Sequence, residues 1–337
     1  MGNSNRGNGE WEGEREWEAM VDPLPLPLPS PAVGFSRFPF PRSLFPLLVA
    51  ALLPVAAGAQ SGGFARADTA RLHRVLDSIA TVHRGVVGYS VRNVDTGERF
   101  ERLGDSTFAT ASLVKVGLLV TLYDLVEHDS ISLDDPIRVL AIDKVPGSGV
   151  LQHLHDGVEI TVRDAAWLMG TVSDNTATNL IVDKVSLRRM WRKMESLGLP
   201  HTKMFAKSFQ RFTSVAMDSS VKYGLGVTTP NEMTRLFELL ALGKAVSPRA
   251  DSAMLALLAN NTKGDMLQRY AEGIWFAHKD GSGSDMRTEC GLFRLQSRVV
   301  VCALTNRNED RRWVIDNEAQ VTLSQIGRAV VSAWPRR

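Results

Sequence analysis

Hydrophobic spacing along the chain switches repeatedly between two periods. Leu72, Val75, Leu76 and Ile79 recur at helical intervals, which predicts one amphipathic helix over Asp68 to Val82. Gly88 to Phe100 reads as strand, turn, strand, with Asp95-Thr96-Gly97 supplying the turn. Val116 to Val126 is apolar on nearly every side, the mark of a helix buried all round, and Ala111-Ser112-Leu113-Val114-Lys115 opens it. Asp134-Asp135-Pro136 breaks the pattern, and Pro146-Gly147-Ser148-Gly149 is a tight loop. Thr161-Val162-Arg163-Asp164 is a capping-box-like start, with Asp in the Glu position, for a helix through Met169. Thr176 to Val185 and Ser186 to Leu197 continue as helices, the second stopped by Gly198 and Pro200. From His201 to Gly226 no period is clear, and such a long loop is a candidate functional segment. Thr229-Pro230-Asn231-Glu232 and Ser247-Pro248 start two more helices, ending at Gly243 and near Asn260. Strands return at Gly273 to Lys279, Cys290 to Leu295 and Val299 to Thr305, the last two as a hairpin. Glu318 to Trp334 closes as a helix with Leu323, Ile326 and Val330 on one face.

Two strands at the front and three at the back therefore bracket a helical middle. The fold class predicted is α/β plus all-α: an antiparallel five-stranded sheet flanked by the terminal helices, with an inserted all-helical domain. The expected boundaries are 60–111 and 262–337 for the sheet domain and 112–261 for the helical domain. Residues 1–59 are set apart. Residues 1–34 carry a charged Trp/Glu stretch and a Pro-Leu repeat that cannot build a core. Arg37 and Arg42, the apolar run Leu44 to Ala57, and Ala57-Gly58-Ala59 follow as the three regions of a secretory signal peptide. That run is short and holds Pro46 and Pro54, so no membrane span is expected. The mature chain is expected to begin at Gln60 and to work in the periplasm or outside the cell. Residues 1–34 then reflect a start site assigned too early.

Composition narrows the function. At 337 residues, 44% hydrophobic and 23% charged, the chain has an ordinary globular balance. Its formal net charge of +2 supports no nucleic-acid partner. A monomer acting on a small molecule is expected. The seven histidines form no metal-ligand spacing, and His153 and His155 read as a solvent-facing pair, so neither metal nor cofactor is expected. Cys290 and Cys302 are too few for a disulfide framework and are expected on neighbouring strands as buried free thiols.

The chemistry begins at Ser112 and Lys115, three apart and on one face of the first helical turn. The serine lies at the positive end of the helix dipole. Burial would depress the lysine pKa, so that its amine can accept the hydroxyl proton. Alone, Ser-x-x-Lys arises by chance about once in a chain of this length.

Two further motifs follow in order: Ser173-Asp174-Asn175, and Lys279-Asp280-Gly281 ending a strand. Together the three resemble the signature set of class A β-lactamases and penicillin-binding proteins. The likeness to class A β-lactamases extends through Ser148-Gly149-Val150-Leu151-Gln152, Leu168-Met169 and Thr171 to Leu180, and spans nearly the whole mature chain. The resemblance implies Ser112 as nucleophile, with the backbone N–H groups of Ser112 and Ser282 as oxyanion hole. It implies Lys115 as base, Ser173 passing a proton to the leaving nitrogen, and Lys279 polarising Ser173 and attracting a substrate carboxylate. Asn175 would hold the acyl side-chain amide, and Gly281, Ser282 and Arg287 would line the substrate site. Ser173-Asp174-Asn175 also suits a helix N-cap, and the two roles are compatible.

Two departures stand out. Asp280 replaces the family's Thr or Ser, and its carboxylate is expected to repel an anionic substrate and to have a raised pKa if buried. The family's Glu-x-x-Leu-Asn loop, whose glutamate activates the deacylating water, is missing. No glutamate lies between Glu195 and Glu232; Ser208 or Lys207 falls near its place, and Asp218 is the loop's one acid. The resemblance thus implies a secreted serine hydrolase that opens β-lactam amides through a Ser112 acyl-enzyme, with slow deacylation. The alternatives are a penicillin-binding-type D-alanyl-D-alanine peptidase or related hydrolase, and a non-catalytic β-lactam- or peptidoglycan-binding module.

Overall fold

The computed structural model describes residues 67–334. The expected signal peptide, its expected cleavage near Ala59 and the start-site expectation fall outside the described residues. The described residues fall in one compact unit.

The chain opens with α1 (Thr69–Val82), capped by the Asp68 carboxylate on the Arg71 N–H. It continues through β1 (Val86–Asn93), β2 (Arg99–Arg102), β3 (Phe108–Ala109), a 3₁₀ turn (Ala111–Val114) and α2 (Lys115–Glu127). Next come β4 (Pro136–Val139), β5 (Val158–Thr161), α3 (Val162–Thr171), α4 (Asn175–Val185) and α5 (Leu187–Ser196). Then follow β6 (Lys203–Met204), α6 (Met217–Tyr223), β7 (Gly226–Thr228), α7 (Pro230–Ala241) and α8 (Pro248–Leu258). The end of the chain supplies β8 (Phe276–Gly283), β9 (Met286–Arg294), β10 (Arg298–Asn306) and α9 (Glu318–Ala333).

The main sheet is five-stranded and antiparallel, in the order β2-β1-β10-β9-β8, as the front-and-back strand pattern predicts. Side chains alternate across it with the period of two that strands impose. Val299, Val301 and Ala303 enter one core with Leu76, Leu323 and Trp334 of the terminal helical segments. Val300, Cys302 and Leu304 enter the other, with α2, α7 and the rest of the helical middle. Helix α2 is buried from Lys115 through Tyr123, so no solvent face interrupts its apolar run.

Local stops and starts follow the side chains. Thr161 and Asp164 form the reciprocal capping box at α3. Thr229 caps α7 and Ser247 caps α8, each followed by proline in the first turn.

Four expectations need correcting. Ser112 is the second residue of the 3₁₀ turn, and the α-helix proper begins at Lys115. The segment 201–226 is not featureless: it holds β6, a 3₁₀ turn, α6 and β7, pieces too short to show a period. Lys279-Asp280-Gly281 lies inside β8, because the ladder with β9 continues to the pair Gly283 and Met286. Cys290 and Cys302 lie directly opposite on β9 and β10, as expected of the hairpin, but they form a disulfide instead of free thiols. Two buried sulfurs facing each other across one ladder position have only each other to meet.

Candidate active site

The 3₁₀ turn carrying Ser112 is pressed against β8, one of the sheet's two edge strands. A Cβ on Gly281 would sit 2.2 Å from the Thr110 carbonyl oxygen and 2.9 Å from the Leu113 nitrogen, so only glycine admits this approach. Thr288 Oγ1 donates to the same Thr110 carbonyl at 2.8 Å and pins the turn from the neighbouring strand. Ala111, just before the serine, has φ +44°. Ser173 and Phe209 are also in this left-handed region, at +59° and +58°, and all three border one cleft. Such backbone costs of order 1–3 kcal/mol each and persists where the surroundings enforce it.

Lys115 is 1% exposed. Its Nζ donates to the Ser173 carbonyl at 2.8 Å, to Ser173 Oγ at 3.2 Å and to Asn175 Oδ1 at 2.9 Å. Desolvation, and then the nearby charge of Lys279, drive its pKa well below that of an ordinary lysine; Asp280 and Asp174 counter only part of this. None of these three bonds goes to Ser112. They tie the lysine to the second motif.

That motif is held by its aspartate. Asp174 Oδ1 accepts from the Ala177 N–H at 2.9 Å as the α4 N-cap. Its Oδ2 accepts from Val150 and Leu151 N–H at 2.7 and 2.9 Å, which braces the loop after Pro146. Gly149 has φ +108°, and a Cβ there would overlap the Asp174 carboxylate at 2.2 Å. Asn175 donates through Nδ2 to the Pro146 carbonyl at 3.1 Å, so both ends of its amide are engaged.

The wall opposite comes from the segment after β6. Asn179, one helical turn beyond Asn175, grips the Ser208 backbone at both ends. Its Nδ2 donates to the Ser208 carbonyl at 3.1 Å, and its Oδ1 accepts the Ser208 N–H at 2.8 Å. Ser208 Oγ is buried beside the cleft with no hydrogen-bond partner among the described residues. Lys207 points elsewhere, to Asp183 at 2.7 Å. Asp218 is exposed on α6 and does not border the cleft.

The β8 wall differs most from expectation. Lys279 Nζ, 1% exposed, donates to Asp280 Oδ1 at 2.7 Å and to the Asp280 carbonyl at 2.9 Å. Burial pushes the Asp280 carboxyl up, but the Lys279 ammonium and the Asn261 amide outweigh it and hold the group well below the usual range. The expected raised pKa is therefore reversed. Arg287 borders the cleft, yet its guanidinium donates to the carbonyls of Gly283, Met286 and Arg312 and lies 4.7 Å over the Trp313 ring. It offers no free fork to a carboxylate. Ser112, Ser173, Asn175, Asp280 and Ser282 all border the cleft, of about 710 Å³, while Lys115 and Lys279 lie buried behind its wall.

Sequence reasoning missed three parts of this site. The Asn179 clamp was signalled by its i+4 spacing from Asn175. The apolar rim Trp313-Val314-Ile315 was signalled by three large apolar residues in a loop after Arg311-Arg312. The Lys279–Asp280 pair had no sequence signal beyond adjacency.

A serine at a helix start, a buried lysine behind it and a Ser-Asp-Asn turn over the same cleft define a serine-hydrolase type of site. The Beta-lactamase enzyme family matches residues 71–334, and the chain belongs to that family. It is a β-lactamase-type hydrolase. It is 26% identical to β-lactamase L2 of Stenotrophomonas maltophilia, over 71% of this chain and 76% of that one. Among solved structures, a β-lactamase from Sphaerobacter thermophilus superposes with TM-score 0.70 and 31% identity, over 79% of this chain and 97% of that one. A variant of PBP-A, seen as an acyl-enzyme with penicillin G, shares the fold with TM-score 0.69 at 22% identity, over 80% and 97% of the two chains.

Proposed function

We propose that this protein opens β-lactam amides through an acyl-enzyme on Ser112 and releases the product slowly. The observation that carries the reading is the buried Lys115, its pKa depressed, bonded to both Ser173 and Asn175 behind the serine turn. In the neutral state its amine takes the Ser112 hydroxyl proton as Oγ adds to the lactam carbonyl. The backbone N–H groups of Ser112 and Ser282 receive the oxyanion. The C–N bond then breaks, and the proton passes by way of Ser173 to the departing nitrogen. Asn175, Gly281 and Ser282 line the substrate. Lys279, already joined to Asp280, steadies this wall rather than capturing a carboxylate.

Slow release is favoured because Ser208, gripped by Asn179, brings a hydroxyl and no carboxylate to the cleft. We place the seam between the sheet domain (60–111 and 262–337) and the helical domain (112–261) at this cleft. We further propose a monomer, exported by the segment Leu44–Ala57 to the periplasm or the exterior.

The test is intact-mass spectrometry of the protein mixed with benzylpenicillin. A persistent adduct of one substrate mass, absent in Ser112→Ala, is expected. Rapid turnover with no visible adduct would contradict slow release. No adduct and no turnover would leave a binding module.

A further inference from the structure

The charges around the cleft limit what can enter it. Lys279, the cation nearest the β8 edge, already has a carboxylate partner supplied by the chain itself, Asp280 Oδ1 at 2.7 Å. The Arg287 guanidinium is engaged by three main-chain carbonyls. Lys263, exposed, and Asp265 also border the cleft; the Asp265 carboxylate holds the Gln320 amide at 2.6 Å. A substrate anion brought to the β8 edge therefore meets a carboxylate fixed in an ion pair. The ammonium of that strand, Lys279, is already engaged.

The rest of the opening is greasy. Phe209 is 66% exposed, Trp313 69% and Ile315 63%, and all three border the cleft. Large apolar side chains left in water around a nucleophile's cleft suit an acyl-group binding surface more than a folding requirement. Nothing in the core needs them there.

Resting on Ser112 as the nucleophile, we propose that the cleft selects acyl donors that are uncharged at the β8 edge and carry a large apolar group. Asp280 acts as the built-in occupant of the place where an anionic donor would put its own carboxylate. Uncharged lactams and apolar esters fit this description. The chemistry at Ser112 is unchanged: the carbonyl carbon gains the Oγ bond, and the amide nitrogen or alcohol oxygen leaves with the proton.

The experiment compares Ser112 acylation by benzylpenicillin and by its methyl ester, which differ by one charge, using intact mass against time. The native protein should react with the ester about tenfold faster or more, the effect of removing one close like-charge contact. Asp280→Thr and the more conservative Asp280→Asn should move the ratio toward the free acid by about tenfold or more, since Lys279 is then unpaired. Trp313→Ala should slow both substrates together and leave their ratio alone. Preference of the native protein for the free acid, or an unchanged ratio in a folded Asp280 variant, would overturn the proposal. Should neither variant fold, the native ratio decides alone. An uncharged alkyl fluorophosphonate separates the two levels. If it labels Ser112 while the acid is preferred, only the selectivity fails; if nothing labels Ser112, the nucleophile reading fails and the selectivity with it.

Discussion

At the scale of single residues, Ser208 is the most informative. Asn179 holds its backbone at both ends, so the position is fixed while the side chain supplies nothing. Its Oγ is buried with no partner among the described residues, and a buried unpaired polar atom carries a cost. A carboxylate on this clamp would face the same cleft as Ser112 and could draw a proton from a water attacking the ester. General bases contribute about 10²–10⁴-fold, so Ser208→Glu should speed loss of the Ser112 adduct by about two orders of magnitude or more. Adduct lifetime by quenched-flow mass measurement checks this, and a lifetime unchanged in a folded variant would show that the clamp does not deliver its residue to the ester. Asp280 teaches the opposite lesson. Burial alone implies a raised pKa, whereas the Lys279 ammonium lies against the carboxylate and lowers it. Which of two charges dominates depends on where an ammonium at the end of a four-carbon stem comes to rest, and a sequence does not record that.

At the scale of elements, the site depends on how closely the serine turn approaches the sheet edge. Thr110, Leu113 and Gly281 are in near contact, and the space where a Gly281 Cβ would go is occupied by backbone, not by a flexible side-chain end. Gly281→Ala should therefore push β8 and the turn apart, lower the melting temperature by several degrees and slow Ser112 acylation by a larger factor than the stability loss accounts for. A variant that melts lower but acylates at the native rate would show the contact to be structural only. The elements themselves were legible where one physical rule acted alone. Helix α2 is apolar on every side and is buried on every side; α3, α7 and α8 start where their capping residues stand. The hairpin of β9 and β10 was legible too, because period-two patterning flanks a short turn. Illegible were the pieces below about four residues, such as β3 and β6, which are set by tertiary pairing with β7. The disulfide lay between these cases: the register was readable, while the oxidation of two facing thiols is a property of the compartment as well as of the chain.

At the scale of the whole molecule, the five-stranded sheet is shared between two cores, and the cleft lies where the helical middle meets its edge. The helical part is fastened to the sheet at several points remote from that edge. Arg92 on β1 pairs with Glu238 on α7, Thr234 Oγ1 donates to the Ser90 carbonyl at 3.3 Å, and Arg298 Nη1 donates to the Ala241 carbonyl at 2.8 Å while its Nη2 meets Asp95 at 2.7 Å. Val300, Cys302 and Leu304 share a core with α7 from β10, whose other face packs on α1 and α9. Opening one side therefore exposes apolar surface on the other, and burial of such surface contributes about 25 cal/mol per Å². The two portions should unfold together, although the chain length would allow separate steps. Far-UV circular dichroism and fluorophosphonate labelling of Ser112 should give one denaturant midpoint between them. Replacing both bridged cysteines, as Cys290→Ala with Cys302→Ala, should lower that midpoint by the equivalent of about 2–4 kcal/mol and move both signals equally. Labelling that disappears well before the helical signal, in either protein, would mean that the cleft opens without the sheet, and that the ties at Arg92 and Arg298 do not carry the stability assigned to them.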